Sequence, residues 1–345
     1  MQLRQLGTAG PTVSALTLGT MNFGEQVDAA LAQDLLDAAV ALGVTAFDTA
    51  ESYASPMRAE TQGASETILG TWLARQARNR VCIASKVSGP AAKLRYLRGG
   101  PQLTRTQIRD AVSASLDRLR TDYLDLFQVH WPARSTNYFG RLGYAPRDDQ
   151  GATPILETLE AISALVDEGL VRYIGLSNET PWGVMHYLAL AERHGLQRVV
   201  SVQNPYNLLN RTVEIGLGEV LHREGIGLMA YAPLADGVLS GKYQGGTCPE
   251  TARLARWPDY YDRYTTDSAV ATVARYCAIA EAHGVTPAAM ALGWTAAQPG
   301  VSTVVMGVSS EVQLRENVAA AAMTPTRALR RAIGETHARQ PNPCP

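Results

Sequence analysis

The chain of 345 residues has little cysteine, and what it has is not clustered. The cysteines stand at positions 82, 248, 277 and 344 without a Cys-x-x-Cys pair, which favours reduced thiols over a disulfide framework. The same spacing predicts no zinc site, so no metal is expected. Cys82 and Cys277 lie in apolar patterns, and we interpret both as core residues.

An excess of charge of either sign is also missing. There are 31 Lys and Arg against 32 Asp and Glu, a formal net charge of −1. Proteins that bind nucleic acid or anionic membranes usually carry a basic patch, so we expect neither partner. The short cluster of Arg327, Arg330 and Arg331 is interpreted as a solvated helix face. A small molecule is the expected partner.

Long apolar runs are absent, although 46% of the residues are hydrophobic. No run reaches the roughly 20 residues that a membrane-spanning helix needs. The first residues, Met1 to Leu6, have no apolar stretch typical of a signal peptide. We therefore expect a cytoplasmic protein.

What the sequence does contain is a regular alternation of short β-branched runs with amphipathic stretches. This pattern is typical of a parallel sheet covered by helices. Eight strands are predicted, near residues 15–18, 44–47, 81–85, 124–129, 171–175, 199–203, 226–231 and 303–306. Eight strand-helix units predict an α/β fold of the (β/α)8 or TIM-barrel type, with residues 1–345 forming one domain.

The segments between and around these units give further expectations. Helices are predicted from Asp28 to Leu42 and from Thr104 to Leu119, each opened by a capping residue. Residues 3–13 predict a hairpin that plugs the bottom of the barrel, and residues 340–345 a loose tail after a C-terminal helix. Long inserts follow strands at about 53–64, 88–103, 131–152 and 233–266, where function is usually found.

Polar residues recur directly after successive apolar strands. They are Asp48, Lys86, His130, Ser177, Asn178, Gln203 and Tyr231. In a parallel barrel the carboxyl ends of all strands meet at one face, where barrel enzymes keep their active sites. Each residue alone has a simpler explanation, such as a helix cap or a solvated charge, but the set predicts a site.

Four residues of this region suggest carbonyl chemistry. A cation at Lys86 beside Asp48 would stabilise the phenolate of Tyr53 and lower its pKa from about 10 toward the working range. Tyr53 could then give a proton to a developing alkoxide. His130 could hydrogen-bond a carbonyl and orient it.

Several long stretches make the chain resemble the aldo-keto reductase family, and within it most closely the bacterial Tas-like members. The stretches are GTMNFGEQ, ETQGASE, ASKVSGP, TDYLDLFQVHWP, RYIGLSNET and VQNPYNLLNR. The resemblance implies that Asp48, Tyr53, Lys86 and His130 are the catalytic residues of an NADP-dependent oxidoreductase. It also implies that Ser177, Asn178 and Gln203 hold the nicotinamide carboxamide while Tyr231 stacks on its ring.

The resemblance extends to further cofactor contacts. It implies NADP(H) binding by Thr20 and Met21, by Leu234, Gly237, Leu239, Ser240, Lys242 and Arg253, and by Gly307, Ser309, Gln313, Glu316 and Asn317. Gly307 lies in a turn that opens a helix, and the first amides of that helix can receive phosphate. The Rossmann fingerprint is absent from the sequence.

The chain departs from the family pattern at two places. Ala232 and Ala235 stand where relatives often have serine and glycine, which removes a hydroxyl contact. Gln313 stands where many relatives place an arginine on the 2′-phosphate. The preference for NADP over NAD would then depend on Ser309, Lys242, Arg253 or Arg315, of which motif position favours the first two.

The resulting hypothesis is a reductase of aldehydes or ketones. An apolar substrate pocket is expected from Met21, Phe23, Trp131, Tyr138 and Phe139. One alternative is a nucleotide-sensing regulatory barrel, similar to potassium-channel β subunits, with little turnover. Another is an aldolase using Lys86 as a Schiff base, which an ion-paired lysine disfavours.

Overall fold

The computed structural model describes residues 1–139 and 141–345. Its centre is a closed barrel of eight parallel strands. They are β3 (Leu16–Gly19), β4 (Ala46–Asp48), β5 (Cys82–Val87), β6 (Leu124–Val129), β7 (Val171–Ser177), β8 (Ser201–Pro205), β9 (Gly227–Tyr231) and β10 (Val301–Met306). β10 pairs with β3 and closes the ring. The predicted TIM-type α/β fold is confirmed.

Helices alternate with these strands along the chain. They are α1 (Ala29–Ala41), α2 (Ala64–Leu73), α3 (Arg105–Leu119), α4 (Ile155–Asp167), α5 (Pro181–His194), α6 (Leu217–Glu224), α7 (Arg253–Arg256), α8 (Asp267–Ala282), α9 (Pro287–Ala296), α10 (Glu311–Ala321) and α11 (Arg327–Arg339). Within the described ranges, no helix combines the length and the apolar character needed to cross a membrane. The arginine cluster of α11 is exposed, as expected.

Capping residues define where the predicted helices begin. The Leu31 amide donates to Asp28 Oδ1 over 2.9 Å, and the Gln107 amide donates to Thr104 Oγ1 over 3.4 Å. Each bond satisfies an amide that a helix N-terminus leaves without an intrahelical partner. Both predicted helix starts are confirmed.

A two-stranded hairpin, β1 (Leu3–Gln5) with β2 (Thr12–Ser14), precedes the barrel. Leu6 and Val13 are buried in one cluster with Leu126 and Met229 of the barrel strands. A side chain at Gly7 is excluded, because a Cβ there would lie 2.5 Å from the carbonyl oxygen of Gly225. This tight contact fixes the hairpin against the turn before β9, consistent with the predicted plug.

The C-terminal tail differs from its prediction. Residues 340–345 were expected to be loose, yet Cys344 is 2% exposed and its amide donates to the Leu209 carbonyl over 3.2 Å. Arg263 Nε donates to the Pro345 carbonyl over 3.2 Å. The tail is held because its one apolar thiol and its backbone find partners on the barrel.

The cysteines themselves also need a correction. Cys82 and Cys277 are only half-buried, whereas Cys344 is the buried one. All four are free thiols. Cys82 lies at the start of β5 and Cys277 on α8, so each packs against a core from its edge.

Candidate active site

The carboxyl ends of neighbouring strands bring the predicted polar residues together. Asp48 is the last residue of β4, Lys86 lies one residue before the end of β5, and His130 directly follows β6. Ser177 ends β7 and pairs in register with Gln203 of β8. The parallel register therefore brings distant side chains to one mouth. Asp48 and Gln203, for example, are 155 positions apart in the chain.

A buried ion pair lies at the centre of this mouth. Lys86 Nζ donates to Asp48 Oδ2 over 2.6 Å and to the Thr49 carbonyl over 2.8 Å. The two side chains are 0% and 3% exposed. Burial lowers the pKa of Lys86 from its ordinary value, while the charge of Asp48 and its hydrogen bond act in the opposite direction. The pair gives the buried ammonium a carboxylate partner where little of either side chain reaches the surface.

Two amides complete the surroundings of Asp48. Gln203 Nε2 donates to Asp48 Oδ1 over 2.8 Å, and Gln128 Nε2 lies 3.3 Å from the same oxygen. Gln203 was predicted as a carboxamide contact, and here its amide nitrogen is already engaged. Gln128 was missed by sequence reasoning. Gln128 lies two residues after Leu126 and two before His130, and residues two apart in a strand face the same side, so this spacing could have placed it inside the barrel.

Tyr53 reaches the ion pair from the loop after β4. Its ring centre lies 5.0 Å from Lys86 Nζ and 5.6 Å from the His130 ring, edge-on to the latter. Burial, and then the charge of Asp48, raise the pKa of Tyr53 well above its ordinary value. The expected lowering by Lys86 is wrong for this structure, because desolvation of the phenolate is the larger effect.

His130 is held in its neutral form. Burial lowers its pKa well below the ordinary value, and the positive charge of Lys86 lowers it further. Its backbone amide donates to the Val87 carbonyl over 2.9 Å. The ring atom Nδ1 is buried without a hydrogen-bond partner among the described residues. A neutral imidazole can donate one N–H bond and accept another.

A chain of hydrogen bonds links the ends of β7, β8 and β9. Tyr231 Oη donates to Asn178 Oδ1 over 2.7 Å, and Asn178 Nδ2 donates to the His130 carbonyl over 2.9 Å. Ser177 Oγ donates to the Gln203 carbonyl over 2.8 Å. The structure thus brings together the residues expected around a nicotinamide, although their polar groups are here bonded to one another.

The loop after β9 contains six predicted cofactor residues with different environments. Ser240 Oγ donates to the Gly237 carbonyl over 2.7 Å, and Leu234 is partly buried. Leu239 is 2% exposed and packs in the main core, so only its backbone could face a ligand.

The two candidate cations of this segment differ in their partners. Arg253 Nη1 lies 3.1 Å from Asp236 Oδ1. Lys242 forms no ion pair with any described residue, and burial lowers its pKa.

The turn between β10 and α10 carries the remaining predicted contacts. Gln313 Oε1 accepts bonds from the amide and hydroxyl of Ser309, over 2.9 and 3.2 Å. Glu316 is exposed, whereas Asn317 is 6% exposed with Nδ2 directed at the sulfur of Met306. Arg315 is paired with Glu311 on the same helix.

One polar atom beside this turn is consistent with a ligand there. Asn22 Nδ2 donates to the Val308 carbonyl over 2.7 Å, while Asn22 Oδ1 is buried without a partner among the described residues. A Cβ built on Gly307 would lie 3.4 Å from that oxygen, so the glycine leaves space in front of it. A buried acceptor is costly without a donor, which a ligand or a water molecule can supply. Thr20 and Met21 precede Asn22, and the Thr20 hydroxyl donates to the Asp48 carbonyl.

The predicted substrate pocket is assembled in part. The Trp131 ring is tilted by 44° against the His130 ring, with ring centres 4.7 Å apart. The Phe139 ring lies edge-on to Trp131 and Tyr138, with ring centres 5.8 and 5.1 Å apart. Met21 is half-buried, and its carbonyl accepts a bond from the loop that carries Tyr53. Phe23 is 0% exposed in the main core, so the structure does not bring it to the mouth.

Two tyrosines of the last insert were missed. Tyr261 Oη donates to Ser55 Oγ over 3.0 Å, and Tyr260 Oη lies 3.3 Å from the same atom. Both therefore lie against the loop of Tyr53. Nothing in the sequence fixes how a long insert folds, so they could not be assigned to the mouth in advance.

Comparison with known proteins agrees with this geometry. The family model described as "Aldo/keto reductase family" matches residues 15–328. The chain belongs to the aldo/keto reductase family. It is 47% identical over 320 residues to "Protein tas" of Escherichia coli (strain K12), covering 92% of each chain. It is 40% identical to an "Aldo-keto reductase" of Babesia bovis over 253 residues, 70% of this chain and 89% of that one.

A further relative has a different kind of name. Over 334 residues the chain is 33% identical to the "Probable voltage-gated potassium channel subunit beta" of Arabidopsis thaliana, covering 94% of this chain and 92% of the relative. Family membership makes oxidoreductase chemistry with a nicotinamide cofactor and a small carbonyl substrate the expected class of activity.

Proposed function

We propose that the protein is an NADPH-dependent reductase that converts an aldehyde or ketone to an alcohol, with Tyr53 as proton donor. One observation carries the proposal. The ring of Tyr53 lies against both the Lys86 ammonium, at 5.0 Å, and the His130 imidazole, at 5.6 Å, at the carboxyl end of the barrel. A phenol can donate a proton, a buried cation can stabilise the phenolate that remains, and a neutral imidazole can orient a carbonyl by hydrogen bonding.

Tyr53 acts as the general acid. NADPH, when bound, supplies a hydride to the carbonyl carbon. Negative charge then develops on the carbonyl oxygen, and the Tyr53 phenol gives that oxygen its proton, so the product is a neutral alcohol and Tyr53 becomes a phenolate that solvent reprotonates. The raised pKa of Tyr53 keeps the phenol protonated before the reaction, as a proton donor must be.

Lys86 and Asp48 support this proton transfer without contacting the substrate oxygen. The Lys86 ammonium stabilises the phenolate that forms, because the two groups are close and shielded from water. Asp48 keeps the ammonium charged and fixes its direction through the 2.6 Å bond. The amides of Gln203 and Gln128 hold Asp48 in turn.

His130 orients the carbonyl. Its depressed pKa leaves the imidazole neutral at pH 7, so it can donate one N–H to the substrate oxygen without adding a second cation next to Lys86. The aromatic side chains of Trp131, Tyr138 and Phe139 then form an apolar wall beside that oxygen.

The residues proposed to hold the cofactor are Thr20, Met21, Ser177, Asn178, Gln203, Tyr231, Leu234, Gly237, Leu239, Ser240, Lys242, Arg253, Gly307, Ser309, Gln313, Glu316 and Asn317. The preference for NADPH depends chiefly on Lys242. Of the candidate cations, Arg253 and Arg315 already have carboxylate partners, whereas Lys242 has none among the described residues. The unpartnered Asn22 oxygen beside Gly307 supports a ligand at the same turn.

The experiment is NADPH oxidation by the purified protein against a panel of aldehydes and ketones. We expect turnover with at least one carbonyl compound and slower turnover with NADH. Absence of turnover across the whole panel would contradict the proposal.

The second candidate is a nucleotide-sensing barrel with little turnover, and it is favoured by the 33% identity to the plant protein named as a probable channel subunit. Tight NADPH binding without reduction of any carbonyl would support this candidate. An aldolase is distinguished by borohydride trapping, which would link a carbonyl compound to Lys86. We expect no such adduct, because the Lys86 nitrogen is bonded to Asp48 and Thr49.

A further inference from the structure

Arg134 and Glu179 form a shielded ion pair next to the proposed site. Arg134 Nη1 donates to Glu179 Oε2 over 2.9 Å, and Nη2 donates to Oε1. The side chains are 14% and 3% exposed. A two-pronged arginine–carboxylate pair fixes orientation as well as distance. Arg134 lies four residues after His130, and Glu179 directly follows Asn178.

Glu179 is held on its other sides as well. Its amide donates to Asn204 Oδ1 over 3.1 Å, and Asn204 Nδ2 donates to the Glu179 carbonyl over 2.9 Å. Oε1 also accepts the Thr180 amide over 2.6 Å. Hydrogen bonds therefore restrain both the carboxylate and the backbone of Glu179, so the residue links Arg134 to the chain after β7.

The helix that follows is shaped to admit this pair. Gly183 lies in the first turn of α5. A Cβ built there would lie 2.1 Å from Glu179 Oε1 and 2.5 Å from Arg134 Nη2. Glycine disfavours a helix because it loses more backbone freedom on folding than other residues. Its presence at position 183 leaves the space that the ion pair occupies.

The same two segments meet at a second point. Asn178 Nδ2 donates to the His130 carbonyl over 2.9 Å. Asn178 has a φ of 53°, a left-handed conformation that is uncommon for a residue other than glycine and needs support from its surroundings. Segment 130–134 therefore clamps residues 178–179 by a backbone oxygen at one end and a guanidinium at the other.

We propose that Arg134 and Glu179 are positioning residues that fix His130, which orients the carbonyl, relative to Asn178, which holds the nicotinamide. The inference rests on the proposed function for the roles of His130 and Asn178. Through Arg134, the base of the loop 131–152 on the substrate side is tied to the cofactor side of the mouth. Neither residue touches the reacting atoms.

The chain offers a matched control for this pair. Arg109 of α3 and Glu168 after α4 form another two-pronged pair, but their side chains are 49% and 39% exposed. Glu168→Gln therefore makes the same chemical change as Glu179→Gln on the outer surface. It keeps the side-chain volume and removes one charge in both cases.

The first test is hydrogen exchange of the cofactor-free protein, which does not depend on activity. Glu179→Gln is expected to speed exchange about tenfold or more in peptides covering both 130–139 and 175–183, because local opening becomes easier when the pair is lost. Glu168→Gln should change neither region. Faster exchange confined to 175–183, or no change at all, would overturn the clamp.

The second test is the rate of hydride transfer in a single turnover with a carbonyl compound that the wild type reduces. We expect Glu179→Gln to slow this step about 10- to 100-fold, since small misplacements of reacting groups are that costly. Arg134→Lys keeps the positive charge but loses the two-pronged guanidinium, so its hydride-transfer rate should lie between those of Glu179→Gln and the wild type. Gly183→Ala should slow the step as well, because it displaces the carboxylate without removing any charge.

The two tests separate this inference from the proposed function. A wild type that transfers no hydride contradicts the proposed function, and exchange still decides whether the clamp exists. If the wild type is active and Glu179→Gln and Gly183→Ala transfer hydride at the wild-type rate, the positioning role is wrong. A variant that loses thermal stability but keeps that rate shows a structural role only, and this too overturns the inference.

Discussion

Loss of the Lys86 ammonium has a predictable cost for the stability of the fold. In Lys86→Met, Asp48 stays buried and keeps only the amides of Gln203 and Gln128, at 2.8 and 3.3 Å, while the Thr49 carbonyl loses its donor. Breaking a buried pair by removing one partner typically costs about 3–5 kcal/mol. We expect this loss in the free energy of unfolding. Adding Asp48→Asn to the variant should restore at least about 1 kcal/mol, because no lone buried charge remains.

The assay is urea unfolding at neutral pH, followed by tryptophan fluorescence and circular dichroism, with slopes compared to confirm two-state behaviour. Arg109→Met is the control, since its pair with Glu168 is about half-exposed and should contribute less than about 1 kcal/mol. If Lys86→Met costs no more than this control, the reasoning about the buried pair is wrong. If the double variant is no more stable than the single one, the unpaired charge of Asp48 is not the cause.

Three further predictions concern pH, cofactor choice and the loop. The pKa of His130 is lower in the folded protein than in the unfolded chain. Its neutral form therefore stabilises the fold above about pH 6.5, and this stability is lost as the pH falls. The free energy of unfolding should fall by up to about 1.4 kcal/mol per pH unit. Urea unfolding from pH 7.5 to 5.5 should therefore show a shallower pH dependence for His130→Gln than for the wild type. The control is His283→Gln at an exposed position, which should leave the slope unchanged. Equal slopes in all three proteins would contradict the buried neutral imidazole. Lys242→Met should weaken NADPH binding about 10- to 100-fold and NADH binding little, as measured by cofactor fluorescence. The control is Lys93→Met, which removes an exposed lysine that is not among the proposed cofactor residues, and equal losses for both cofactors would exclude a contact of Lys242 with the 2′-phosphate. Tyr138→Ala should raise the KM for the carbonyl compound up to about tenfold while leaving the Kd for NADPH unchanged, and the reverse result would place this loop on the cofactor side.

The barrel could be predicted from the sequence because its signal is repeated. The parallel strands are largely buried on both faces and rich in apolar residues. Polar residues such as Asp48 and His130 stand at or just after strand ends. Family motifs then identify the same residues independently. The barrel and the residues at its strand ends can be predicted from this periodicity.

Other features depend on contacts that no pattern encodes. The pKa of Tyr53 was predicted in the wrong direction, because the degree of burial of a loop residue is a tertiary property. Phe23 resembles a pocket residue in the sequence but packs in the core. The docked tail at Cys344 and the contact between Tyr260 and Ser55 depend on long-range packing of segments without regular periodicity.

The proton donor is the central claim, and Tyr53→Phe tests it most directly. Phenylalanine keeps the ring that packs against Lys86 and His130 and removes only the hydroxyl. Steady-state reduction of the best carbonyl substrate should fall about 10²- to 10⁴-fold, the usual contribution of general acid catalysis, while the Kd for NADPH changes less than about twofold. A Tyr53→Phe protein that reduces the same substrate at the wild-type rate would contradict the account.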